Sequence, residues 1–326
     1  MKTETNKQEL ENISAKIKNK AIELGFCDCG IAKPRFLEEE VFHLNHYLTN
    51  NYHAEMQYMA NNAEKRLNPC KLVENAKSVI VVLCNYYSAI QQVDNTAPII
   101  SKYAYGKDYH FFVKQKLNEL LQFIELQMGT VCGRAFTDSA PILERAWAKE
   151  AGLGWIGKNG CLITKKFGSY MFIGELIIDR ELAYNQPFEK EFCGSCEKCI
   201  AACPTSAIEK PYCVDGGKCI SYLTIENKNE IPEKFHNKLN NRVFGCDICM
   251  EVCPWNKKIA ATTEDWFQPK KKLMEMKKQE WLSLTKEEFN EIFESSPVKR
   301  VKYERFMQNI GVLQKVQSGV IPTSLV

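Results

Sequence analysis

Apolar residues Leu10, Ile13, Ile17, Ala21 and Leu24 recur every three or four positions and Gly25 follows them, which predicts an amphipathic helix closed by a glycine. The β-rich run SVIVVLCNYY (78–87) predicts a strand. Helical spacing returns in FFVKQKLNELLQFIELQMG (111–129) and stops again at glycine. VCGRAFTD (131–138) suits a strand. PILERAWAKEAG follows as a helix with Pro141 near its first turn, where a missing N–H is tolerated. SYMFIGELIID (169–179) is a second strong strand. The first 185 residues therefore predict an α/β or α+β domain with an open sheet covered by helices. Residues 186–260 change to short segments rich in cysteine. From 261 to 326 the chain is helical and charged, with Thr285 and Glu288 spaced for a capping box and SGVIPTSLV as a loose tail. Three domains are expected, over 1–185, 186–260 and 261–326.

Composition leaves this a globular protein, with 45% hydrophobic and 25% charged residues. The net charge of +3 is too small to argue for a polyanion partner by itself. It is unevenly placed, because 257–315 holds 13 Lys/Arg against 9 Asp/Glu, so such a partner should touch the C-terminal part. The first twenty residues lack the apolar core of a secretory signal and a twin-arginine pair, and the longest aliphatic run is too short to span a bilayer. A soluble, cytoplasmic protein with no membrane association is expected.

Nine of the fifteen cysteines fall between Cys193 and Cys253, and clustering of that kind means ligands rather than cytosolic disulfides. CGSCEKCIAACP, with Cys193, Cys196, Cys199 and Cys203 before Pro204, matches the C-x2-C-x2-C-x3-C-P run of bacterial ferredoxins. Closely spaced thiolates on a tight turn converge on one cubane, and proline fixes the backbone as the fourth leaves. A zinc ribbon instead pairs two CxxC knuckles across a spacer. CDICMEVCP supplies Cys246, Cys249 and Cys253. In two-cluster ferredoxins the cysteine before proline ligates the other cluster. By that logic Cys193, Cys196, Cys199 and Cys253 hold one [4Fe–4S] cluster, and Cys203, Cys246 and Cys249 hold three corners of a second. The eighth thiolate is Cys213 or Cys219, and spacing does not choose between them.

Two features invite readings that their context opposes. GLGWIG (152–157) spells GxGxxG, but it follows a helix rather than a strand, so the dinucleotide fingerprint lacks its setting. Continued to Lys158 it approaches a phosphate loop, yet Asn159 stands where Ser or Thr must reach magnesium. Backbone passing close to a bulky cofactor accounts for the glycines. Asp138 suits either the start of a helix, where it would balance the dipole, or an acid/base role. The five histidines show no ligand spacing.

With EKRLNP (64–69), SKYAYGKDYH, TDSAPILERAWAKEAGLGWIGKNGCLI, FGSYMFIGELI, CISYLTIE and the double cysteine motif in view, the chain resembles the epoxyqueuosine reductases over nearly its whole length. These are cobalamin-dependent tRNA-modifying enzymes. The resemblance implies two-electron reduction of an epoxide to an alkene on the modified wobble base of a tRNA anticodon stem–loop, with release of water. It implies a cobalamin in the N-terminal region, without a histidine lower ligand since D-x-H-x-x-G is absent, fed through two [4Fe–4S] clusters by an external electron donor. Asp138 matches the family's proton donor, and CISYLTIE nominates Cys219 as the eighth ligand. Arg66, Lys158, Asn159 and Ser169 lie in matching blocks and are candidate cobalamin contacts. Lys299, Arg300, Lys302 and Arg305, in SPVKRVKYERF, are candidate phosphate contacts for tRNA. Longer members continue into a helical-repeat domain after this block. Rival readings are a reductive dehalogenase, which pairs cobalamin with two clusters, and a ferredoxin-like carrier without corrinoid.

Overall fold

The computed structural model describes residues 2–317, so the tail beginning at Ser318 lies outside the described residues. The chain forms two compact units, the first of Met1–Asn51, Gln57–Asn85 and Tyr109–Cys196, the second of Tyr52–Met56, Tyr86–Asp108 and Glu197–Val326. Up to the middle of the chain the elements are α1 (Lys2–Glu23), β1 (Asp28–Ala32), α2 (Glu38–Thr49), α3 (Ala63–Leu67), β2 (Ser78–Asn85), β3 (Ile99–Ile100, in the second unit), α4 (Tyr109–Met128), β4 (Gly133–Phe136), α5 (Glu144–Glu150), β5 (Trp155–Ile156), β6 (Leu162–Ile163) and β7 (Met171–Ile178).

The first unit is built on a four-stranded sheet in the order β1-β2-β7-β4, with every neighbouring pair antiparallel. Of the two expected classes, this is α+β. The predicted stripe of α1 is the buried one, since Ile17 and Ala21 are fully covered, and α1 packs with α4 on one face of the sheet. Gly174 on β7 permits that approach, because a Cβ there would lie 2.6 Å from Val113 Cγ1 of α4. The opposite face carries Val79, Val81, Leu83, Phe136, Ile173 and Ile177 and is covered by Leu37, Leu44, Leu67 and the α5 residues Ala146, Trp147 and Ala148. Helix α5 begins at Glu144, so Pro141 precedes the helix rather than sitting in its first turn. The short β5–β6 hairpin, closed by a turn at Gly157–Gly160, follows α5.

The second unit contains α6 (Lys198–Ala202), β8 (Ile208–Lys210), β9 (Cys213–Val214), α7 (Ile220–Ile225), α8 (Glu233–His236), β10 (Arg242–Phe244), α9 (Ile248–Glu251), α10 (Lys271–Glu275), α11 (Lys278–Leu282), α12 (Lys286–Ile292) and α13 (Lys302–Gln317). Helices α6 and α9, which carry Cys199 and Cys249, pack against each other. Strand β3 pairs in parallel with β10, so residues 86–108 are built into this unit. Its apolar core centres on Trp281, Phe289, Phe293 and Phe306, with Phe289 and Phe293 ring centroids 5.0 Å apart. The capping box at Thr285 and Glu288 forms as the spacing predicts. Helix α13 is fixed by Asn309, whose amide donates to the carbonyls of Thr224 and Val243 at 2.9 Å each. No helix among the described residues is long and apolar enough to cross a membrane.

Candidate active site

Asp138 stands two residues beyond β4, with its backbone in the left-handed region (φ +52°). It is therefore not the first residue of a helix. Aspartate tolerates this conformation better than most residues, and the surroundings hold it there. The Asp138 N–H donates to a carboxylate oxygen of Glu144, at the first turn of α5, and Thr137 Oγ1 donates to the Ile173 carbonyl at 2.9 Å. Both anchors attach the segment to the rigid sheet and helix rather than to a loop.

The Asp138 carboxylate is half exposed, at 48%. Its Oδ2 accepts from the Tyr109 hydroxyl at 2.7 Å and lies 3.2 Å from His110 Nε2. Tyr109 is itself held flat on Phe172 of β7, with ring centroids 4.0 Å apart and planes 6° from parallel. The start of α4, the segment after β4 and the beginning of β7 thus position this one carboxyl. The Tyr109 hydroxyl and the His110 ring fix the orientation of the Asp138 carboxyl.

Two further carboxyls lie behind it. Burial pushes the Glu144 carboxyl up to about 8, aided by the charge on Asp138. Glu144 as a residue is only partly covered, so it is the carboxyl end that has lost its water. Glu175, in the centre of β7, is fully buried, and neither oxygen has a hydrogen-bond partner among the described residues. Burial first, then the charges on Glu144 and Asp138, raise it well above the usual carboxylate range. The sequence reading passed over His110, Glu144 and Glu175. Only Glu175 left a legible sign, an acid inside the otherwise apolar strand MFIGELII.

The candidate cofactor contacts are buried as a group. Lys158 and Asn159 share the turn of the β5–β6 hairpin, and Ser169 precedes β7. Asn159 Oδ1 accepts from the Cys161 N–H at 3.2 Å, whereas its buried Nδ2 has no protein partner among the described residues. Arg145 of α5 donates to the Gly160 carbonyl and ties this turn to the helix carrying Glu144. Arg66 lies apart on α3, where it donates to the Tyr58 carbonyl at 2.6 Å.

In the second unit, Cys219 sits at the start of α7 while Cys213 is buried in the β8–β9 hairpin. Burial pushes the Cys246 thiol up to about 12, and Cys219 is near enough to add to that rise. Of the C-terminal basic residues, Lys299 and Lys302 are exposed, and Arg300 pairs with Glu226 at 2.6 Å. Arg305 is turned inward, donating to the carbonyls of Asn229 and Leu223.

Residues 66–139, which include Tyr109, His110 and Asp138, match the family described as "Epoxyqueuosine reductase QueG, DUF1730", and 192–256 match a 4Fe-4S double cluster binding domain. An epoxyqueuosine reductase of Cellulophaga algicola is 51% identical over 93% of this chain and 99% of its own length. The crystal structure of a selenomethionine-labelled epoxyqueuosine reductase superposes with a TM-score of 0.86 at 26% identity, covering 95% of this chain and 84% of that one. Another, solved with an epoxyqueuosine-modified tRNA-Tyr stem loop, gives 0.85 at 26% identity over 93% of this chain and 80% of that one. The chain carries a double [4Fe–4S] cluster domain and is an oxidoreductase that belongs to the epoxyqueuosine reductase family.

Proposed function

We propose that this epoxyqueuosine reductase delivers the protons of its reaction from Asp138, acting on the modified wobble base of a tRNA anticodon stem–loop. The observation that carries the assignment is the convergence of Tyr109 and His110 on Asp138 Oδ2, in a segment whose backbone is pinned by Glu144. Opening an epoxide leaves an alkoxide, a poor leaving group, and a carboxylic acid at hydrogen-bond distance neutralises it as it forms. Tyr109 and His110 fix the direction in which that proton points. The stem–loop substrate is proposed from the relatives and from the exposed Lys299 and Lys302, which suit phosphate contacts, while Arg300 would have to leave Glu226 to join them. Arg305 serves the fold instead, by clamping two carbonyls.

The cofactors follow the same reading. Cys193, Cys196, Cys199 and Cys253 hold one cluster, and Cys203, Cys219, Cys246 and Cys249 the other. The soft thiol donors suit iron, and the nearness of Cys219 to Cys246 supports Cys219 over Cys213. An external one-electron donor reduces the clusters. Cobalamin, when bound, supplies electrons to the epoxide carbon. Lys158, Asn159 and Ser169 would hold it, and the orphaned amide of Asn159 fits a polar group arriving from outside the protein. Arg66, apart from these three on α3, would be a separate contact.

The test is Asp138→Asn, which keeps the left-handed backbone and removes the acid. Anaerobically reconstituted variant is expected to bind cobalamin with an unchanged spectrum and to lose activity about 100-fold or more on an epoxyqueuosine-containing stem–loop. Undiminished turnover removes Asp138 as the acid. Protein that binds iron but gives no corrinoid spectrum removes the cobalamin reading.

A further inference from the structure

Phe172, Tyr109 and His110 form one stack of rings that starts on the sheet and ends at Asp138. Tyr109 lies on Phe172 of β7, and the His110 ring lies on Tyr109 with centroids 4.1 Å apart and planes 26° from parallel. The stack brings His110 Nε2 to 3.2 Å from Asp138 Oδ2, which also accepts from the Tyr109 hydroxyl at 2.7 Å. Two consecutive residues at the start of α4 therefore meet the same carboxylate oxygen, and one of them would suffice to aim it. They differ in what they can do with a proton. A phenol keeps its proton up to about pH 10, whereas an imidazole exchanges one near neutral pH. The His110 side chain is 28% exposed, so a proton lost to Asp138 can be recovered from water. A His–Asp pair this exposed adds little to stability, which leaves the contact without a structural purpose. Glu144 is bonded to the same segment through the Asp138 N–H, on the backbone rather than at the carboxyl.

The stoichiometry gives the contact a use. Removing an epoxide oxygen as water takes two electrons and two protons, and Asp138 carries one proton at a time. A substrate oxygen close enough to take the first proton displaces water from the open side of the carboxyl. His110 needs no such access, because it already touches Oδ2. We propose that His110 reloads Asp138 between the two C–O bond cleavages, relaying a proton from solvent to the acid.

The relay rests on Asp138 being the donor. As the first C–O bond breaks, the Asp138 proton goes to oxygen and leaves a hydroxyl on carbon. The His110 imidazolium then gives its Nε2 proton to the Asp138 carboxylate and becomes neutral. As the second C–O bond breaks, Asp138 protonates the departing hydroxyl, which leaves as water, and the C=C bond forms. The departing oxygen is a far stronger base than carboxylate or imidazole, so it draws the proton through both. The two electrons come from a low-potential one-electron donor acting through the clusters. Solvent returns one proton to His110 and one to Asp138 once product has gone. His110 acts through Asp138, so it is a positioning and proton-supply residue rather than a catalytic one.

His110→Gln keeps an N–H donor for Asp138 but has no proton to release near neutral pH. In the reconstituted enzyme it is expected to lower kcat about tenfold or more while KM for the stem–loop stays within about twofold. Wild-type kcat in His110→Gln overturns the relay, since orientation alone would then explain the contact. His110→Ala leaves room for a small base. Added imidazole should restore part of its kcat, and substituted imidazoles should restore it to a degree that follows their pKa, as a purely structural defect would not. A slow His110→Ala that no imidazole improves also overturns the relay. If Asp138→Asn is inactive while His110→Gln is unimpaired, the relay alone fails. An active Asp138→Asn removes the donor and the relay with it.

Discussion

At the scale of single residues, three carboxyls stand at different depths in the candidate site. Asp138 is half exposed and oriented by Tyr109 and His110, while Glu144 and Glu175 are dry enough to keep protons that ordinary glutamates shed. This has a consequence for stability whose sign is fixed. A carboxyl whose folded-state value is raised binds more protons folded than unfolded, so its contribution is complete below the ordinary value of 4.5 and is lost as pH rises toward about 8, the value of Glu144. Glu175 acts in the same direction. Replacing Glu175 by Gln removes its share of that loss. The apparent Tm of the variant relative to wild type should therefore rise between about pH 5 and about pH 8, and a difference that is flat or falls with pH refutes the neutral-acid assignment. Asp138 was nominated as the candidate acid by its motif, because the TDSAPILERAW string is long. His110 was not, since its partner is brought to it by the pairing of β4 with β7 and no spacing along the chain records that.

Among the elements, the sheet tolerates helices on both faces only where glycine thins it. Gly174 is such a place, and Val113 Cγ1 and Leu117 Cδ1 of α4 fill the space its side chain would occupy. Gly174→Val is expected to destabilise the protein by about 1–3 kcal/mol, read as a lower denaturant midpoint. Gly311 of α13 offers the opposite case, because a Cβ there meets nothing within 4 Å. Gly311→Ala should stabilise by about 0.5–1 kcal/mol. The same measurement on both variants tests whether helix packing, rather than glycine content, sets the sign. The elements themselves were largely readable, since apolar spacing located α1, α4, β2 and β7 to within a few residues. Helix α5 starts later than the sequence suggested because the chain after Asp138 first turns back so that Glu144 can reach its N–H. Sequence pattern carries no trace of that detour.

For the molecule as a whole, the cysteine motifs made the cluster domain plain, because ligand spacing is a local property. The choice between Cys213 and Cys219 is a folding question; Cys219 stands at the start of α7, near enough to act on the Cys246 thiol, while Cys213 is buried in a hairpin, which is the ground for proposing Cys219. Cys219→Ser should lower iron content from about eight atoms to nearer four after anaerobic reconstitution, whereas Cys213→Ser should leave it unchanged. Equal iron in the two variants, or loss with Cys213 alone, reverses the assignment.

The pairing of β3 with β10 bears on how the protein is made. Ile99–Ile100 leave the ribosome long before Arg242–Phe244, their partners in the parallel pair. Tyr86–Asp108 therefore lack that strand partner until Phe244 of the 326 residues has been made. Splitting the gene after Cys196 would leave both that segment and the proposed ligands Cys193 and Cys196 on the other polypeptide, so the second piece alone is expected to lack a strand and two thiolates.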